Sequence, residues 1–124
     1  MAVELTGNYL HSIKIHKDII DINPYNFQAW YNLGHAFSCV GEYQKAIDAL
    51  EYSYLINPKF EMGYLDCAEI CIQTKQHEKA LSIYLETFDM FGSNCDLLSS
   101  IGFCYYKLKD FKSSKSFYER TTQG

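Results

Sequence analysis

Tyr9, Tyr43, His77 and Phe111 stand at equal intervals of about 34 residues, and the residues around each of them echo one another. A chain with such a period is built of one structural unit used several times, which limits it to a small set of architectures. The unit is clearest from Trp30 to Pro58, WYNLGHAFSCVGEYQKAIDALEYSYLINP. Two helices fit this stretch. The first carries Trp30, Leu33, Gly34 and Phe37, the second carries Ala46, Leu50 and Ser53, Gly41 supplies the turn between them, and Asn57-Pro58 closes the unit.

Helix crossing explains these residue types. Gly34 and Ala46 leave room for two backbones to approach, while Trp30, Leu33 and Phe37 recur at helical spacing and fill the seam. Burial of Trp30 would remove roughly 150–250 Å² from water, an upper estimate of about 4–6 kcal/mol. A single hairpin cannot cover that much apolar surface, so such units stack on their neighbours.

The pattern resembles the tetratricopeptide repeat: Trp30, Leu33 and Gly34 match its signature, Phe37 stands for its Tyr, and Ala46 and Pro58 fall in place. Leu50 stands where the family usually has an aromatic residue and Ser53 where it has Ala. The resemblance implies an all-α fold, an α-solenoid of antiparallel helix-turn-helix repeats in a right-handed superhelical stack. It also implies a protein-interaction role.

Shifted by the same period, the unit divides residues 1–124 into one domain of four parts. Residues 1–26 hold the second helix of a partial leading repeat, expected over 8–22 with Gly7 at the turn position and an apolar stripe of Tyr9, Ser12, Ile13, Ile19 and Ile20. Repeat 1 is 27–60. Repeat 2 is 61–94, with helices expected near 61–74 and 77–90; Lys75 replaces the turn glycine, and Gly92 replaces the closing proline, ending the helix through positive φ. Repeat 3 is 95–124, with Gly102 at the close crossing and a second helix near 111–121. Seven helices are expected. On this reading the chain opens inside a repeat and stops before a capping helix. It is either an excerpt of a longer array or a chain whose open ends pair, for instance as a homo-oligomer.

A net charge of −4 and a pI near 5.5 leave no concentrated basic face for nucleic acid or an anionic membrane. The first 20 residues lack the apolar core of a signal peptide, and no apolar run is long enough for a membrane helix. A related helical-repeat class reads RNA one base per repeat, but with a slightly longer period and a basic groove. Cys39, Cys67, Cys71, Cys95 and Cys104 are an odd number at apolar helical positions, the pattern of reduced core thiols in a cytoplasmic protein. Cys67 and Cys71 share a helix face, but a metal would need two more ligands there, and His11, His16, His35 and His77 are not placed by the sequence.

No phosphate loop, nucleophile elbow or metal-binding helix motif occurs, so no catalytic residue, cofactor or metal is assigned and the chain is read as a non-enzyme. Asp66 and Glu69, one helical turn apart, read as a solvated acidic face. In the family, first helices line a concave groove. The residues off the packing stripe of those helices give the candidate peptide-binding groove: Tyr31, Asn32, His35, Asp66, Glu69, Phe103 and Tyr106.

One subclass of the family clamps the C-terminal carboxylate of chaperone tails with Lys, Asn and Arg. Here the matching places hold Tyr31, His35, Asp66, Asp96 and Ser100, and two acids would repel such a ligand. The partner expected is therefore a peptide or protein segment with apolar and basic side chains, held by a scaffold.

Overall fold

The computed structural model describes residues 2–123, with side chains over residues 7–122. Seven α-helices and no strand occur among the described residues: α1 (Ala2–Ile22), α2 (Phe27–Cys39), α3 (Tyr43–Ile56), α4 (Glu61–Gln73), α5 (His77–Phe91), α6 (Cys95–Lys107) and α7 (Phe111–Gln123). The chain divides into two compact units, residues 1–70 and 71–124.

In the first unit α2 packs against both α1 and α3. Gly34 makes the α2–α3 approach possible. A Cβ there would come within 2.7 Å of Leu50 Cγ and 3.1 Å of the Ala46 carbonyl oxygen. Leu33, Phe37, Ala46, Ile47 and Leu50 are buried around this crossing. A second close approach, between α3 and α4, joins Gly63 to Ser53: a Cβ on Gly63 would lie 2.7 Å from Ser53 Oγ. Ser53 is fully buried and its hydroxyl donates to the Leu50 carbonyl at 2.6 Å, so the polar atom in the family's alanine position is satisfied within its own helix.

Two expectations are corrected in this unit. The leading helix does not start at residue 8 but runs back to Ala2, and Gly7 is part of it. Glycine costs only about 1 kcal/mol in a helix, and nothing lies within 4 Å of where its Cβ would be to force a turn. Trp30 is half-buried rather than enclosed. Its ring leans on Tyr52 of α3 (centroids 4.6 Å apart) and its indole N–H donates to the Pro24 carbonyl at 2.8 Å.

In the second unit α6 packs against α5 and α7 around Ile83, Leu97, Leu98, Ile101 and Cys104. Gly102 faces the Tyr118 ring, which a Cβ would meet at 3.1 Å. The Gly102 carbonyl accepts from the buried Ser114 hydroxyl at 2.8 Å, which ties α7 to α6. Phe117 stacks on Tyr105 at 5.5 Å, and the Arg120 guanidinium lies over both Phe117 and Phe88.

The turns between paired helices share one hydrogen-bond pattern. After α2, Gly41 N–H reaches the Ser38 carbonyl and Glu42 N–H the Phe37 carbonyl; after α4, Lys75 reaches Ile72 and Gln76 reaches Cys71; after α6, Lys109 reaches Tyr106 and Asp110 reaches Tyr105. This is the Schellman arrangement, which needs a left-handed residue at its centre. Gly41 has φ 83°, but Lys75 (62°) and Lys109 (66°) adopt the same conformation. The turn at Lys75 therefore keeps its shape without glycine. Gly92 ends α5 with φ 86°, as its sequence position suggested.

First helices α2 and α6 begin on asparagine caps, Asn26 accepting from Ala29 N–H at 3.1 Å and Asn94 from Leu97 N–H at 2.8 Å. Cys67, Cys71 and Cys104 are completely buried, as core thiols should be. Cys39 and Cys95 are not: both are exposed, because one closes α2 at its last turn and the other opens α6 at its first.

Candidate functional site

The residues named for the groove fall on both units, five on the first and two on the second. In the first, Phe27 and Tyr31 lie one turn apart on α2 and both meet Phe60, at 5.0 and 4.9 Å between centroids, the latter edge to face. The Tyr31 hydroxyl then donates to the carboxylate of Asp66 on α4. Burial first, and the Asp66 carboxylate second, push the Tyr31 phenol up to about 12. Around this cluster Asn32, His35 and Glu69 are exposed. His35 Nε2 is 3.8 Å from the Cys39 thiol one turn along the helix. Cys39 in turn raises the Tyr9 phenol of α1, through a hydrogen bond in the first place.

The acidic pair read from the sequence is thus divided in role. Asp66 is held by a phenol, and only Glu69 of the two is free to offer its charge to solvent. Phe27 and Phe60 were not among the candidates. Phe27 carried a signal, since it precedes Tyr31 by four residues and so shares its helix face; Phe60 lies in the turn before α4, where periodicity says nothing.

In the second unit Phe103 of α6 is half-buried against His77, and the Lys107 ammonium lies 5.5 Å from its centroid. Tyr106 is exposed and meets Phe111 of α7 edge to face at 5.6 Å. Asp96, one of the acids at a clamp-equivalent position, accepts from the Ser100 hydroxyl through its backbone carbonyl at 2.9 Å.

Among the described residues no three of His, Cys, Asp and Glu come together as metal ligands. Cys67 points to the Ile47 carbonyl, so the Cys67–Cys71 pair faces core. No helix among the described residues is long and apolar enough to cross a membrane. What the surface offers is aromatic rings, exposed amide, imidazole and carboxylate groups, which is the chemistry of macromolecular contact.

Comparison with known proteins supports the fold seen here. A family profile described as tetratricopeptide repeat matches residues 8–48, the stretch containing α2 and the crossing at Gly34. A crystal structure of MamA superposes with a TM-score of 0.81 at 22% identity, covering 90% of this chain and 65% of that one. The chain has the fold of tetratricopeptide-repeat proteins.

Another solved tetratricopeptide-repeat structure, YrrB, described as having an unusual peptide-binding site, superposes with a TM-score of 0.70 at 16% identity, over 87% of this chain and 56% of that one. Among curated proteins, the BBSome complex member BBS4 of Bos taurus is 23% identical over 104 residues, which is 84% of this chain. The chain spans about a fifth of the length of the curated relatives it matches. The likeness therefore covers only a portion of such proteins. The all-α repeat architecture expected from the sequence is the one found.

Proposed function

We propose that the chain is a non-catalytic protein-interaction scaffold, with residues 27–60, 61–94 and 95–124 as three repeats of one domain after the partial repeat of 1–26. Its first helices hold a peptide or protein segment. The observation that carries this reading is the Tyr31–Asp66 contact, which joins α2 to α4 and fixes a rigid aromatic floor of Phe27, Tyr31 and Phe60 beneath exposed Asn32, His35 and Glu69. Rigid aromatics with a polar fringe are favoured contact surfaces. Phe103 and Tyr106 give α6 an aromatic surface of its own.

With Asp66 engaged by Tyr31, the partner is read as mainly apolar, with a basic group matched to Glu69. A terminal carboxylate of the chaperone-tail kind finds no cationic clamp here. Neither nucleic acid nor membrane is proposed as a partner, and a cytoplasmic location fits the reduced thiols. The experiment is affinity capture from the source cell with wild type and with Asn32→Ala/His35→Ala/Glu69→Ala, whose changed side chains are all exposed. A partner retained by wild type and lost by the triple variant supports the reading; retention by both removes the α2–α4 face from it.

A second reading, self-association, is favoured by exposed Leu10 and Ile15 on α1 and Phe111 and Tyr118 on α7. Light scattering over a concentration series decides it, since a constant monomer mass excludes a homo-oligomer.

A further inference from the structure

A second surface of the first unit has a different chemistry. Trp30 and Tyr31 are successive on α2, so their side chains leave the helix about 100° apart. Tyr31 serves the α2–α4 cluster, while Trp30 turns to a cavity of about 370 Å³ between α1 and α3, floored by α2. That volume is in the range of ligand pockets.

The cavity is polarised. Its floor runs from Phe37 to Trp30 through Leu33. At the Phe37 end stand two cations, Lys17 from α1 and Lys45 from α3, with ammonium groups 5.6 and 5.9 Å from the Phe37 centroid. At the other end Trp30 leans on Tyr52. Both α1 and α3 run from the Phe37 end towards the Trp30 end, so Asp21, four residues after Lys17, and Asp48, three after Lys45, stand one helical turn nearer the Trp30–Tyr52 pair. Asp48 also accepts from the Gln44 amide at 3.0 Å, which orients its carboxylate and leaves the other oxygen available. The indole N–H of Trp30 is already spent on Pro24, so the ring meets the cavity as an apolar face.

We infer that this cavity docks a partner protein's segment that carries an arginine and an acidic residue about one helical turn apart on one face. The guanidinium lies on the Trp30–Tyr52 rings between Asp21 and Asp48, where ring faces and carboxylates both attract a planar cation. The acidic side chain reaches Lys17 and Lys45. Two cations at one end and two anions at the other favour one orientation and disfavour a segment of a single charge sign.

Trp30 is the chain's one tryptophan, so its emission reports on this cavity directly. The probes are N- and C-terminally blocked alanine-based peptides carrying one Arg and one Glu four residues apart, in either order, with Gln-for-Arg and Gln-for-Glu controls. A saturable change in emission is expected with one of the two orders. Its apparent Kd should rise about tenfold in Asp21→Asn/Asp48→Asn and in Lys17→Gln/Lys45→Gln. All four changed side chains are exposed, and circular dichroism checks that the variants fold.

Four outcomes of the titrations would overturn the inference. They are no response up to millimolar peptide, an equal response to the singly charged controls, an unchanged Kd in both double variants, or an equal response to free arginine. Sedimentation showing a dimer that the same variants dissolve would overturn it in favour of a second copy of the chain. None of these results depends on Asn32, His35 or Glu69, so the fate of the α2–α4 reading is read separately.

Discussion

Tyr31 and Asp66, 35 residues apart in sequence, share a hydrogen bond in which the phenol donates to the carboxylate. The folded chain thereby holds the Tyr31 proton more tightly than the unfolded chain does. The raised phenol adds stability that is complete below pH 10.0 and is lost as the pH climbs through about 12. Absorbance titration at a phenolate wavelength should show a tyrosine that ionises only near pH 12, and Tyr31→Phe should remove that step. In Asp66→Asn its pKa should fall only part of the way, because burial is the larger cause. A full return to the ordinary value would assign the shift to the carboxylate alone.

Gly34→Ala should destabilise the first unit by about 1–3 kcal/mol, since the new methyl group meets Leu50 and the Ala46 carbonyl together. Gly102→Ala should cost less, because the nearest atoms its Cβ would meet, at 3.1–3.2 Å, belong to the ring of Tyr118, which is partly exposed and can shift. Gly7→Ala, with open space around it in a helix, should stabilise by about 0.5–1 kcal/mol. Urea unfolding followed by circular dichroism ranks the three, and the order is the prediction.

Lys75→Gly and Lys109→Gly should each stabilise the chain by up to about 1 kcal/mol by relieving a left-handed conformation in a residue that carries a Cβ. Gly41→Ala should cost a similar amount, and for conformational reasons alone, as nothing lies within 4 Å of its Cβ position. Melting temperatures compared at one pH test all three.

Native protein should present two thiols to an aromatic disulfide reagent, Cys39 and Cys95, and three more only on unfolding. Cys104 should be slow even at pH 9, since burial above all, and then Cys71, push its thiol up to about 11. Fast release of five equivalents from folded protein would contradict the buried positions of Cys67, Cys71 and Cys104.

Much of the architecture was legible because it rests on local rules. Small residues at Gly34 and Gly102 marked helix crossings, and Asn57-Pro58 and Gly92 marked helix ends, each through a property of the residue itself. The start of α1 was not legible: Gly7 looks like Gly41 by position, and only surroundings distinguish a turn glycine from a helical one. The partial exposure of Trp30 was hidden for a similar reason, since its contacts are with Tyr52 and the Pro24 carbonyl rather than the signature residues. At the candidate site, helical phase set Tyr31, Asn32 and His35 off the packing stripe but could not show that Asp66 is committed to a phenol. That depends on α2 and α4 standing side by side, a relation between elements that no window of sequence contains.

The three Schellman turns carry a longer consequence. What they keep constant is the sign of one dihedral angle, at Gly41, Lys75 and Lys109, while the side chain at that point is absent once and cationic twice. Each turn residue occupies the same phase of a ruler about 34 residues long. The chain thus owns a set of evenly pitched addresses at which charge can be written or erased at a cost of about 1 kcal/mol, without displacing a helix. Surface labelling and scaffold geometry can then drift independently under selection.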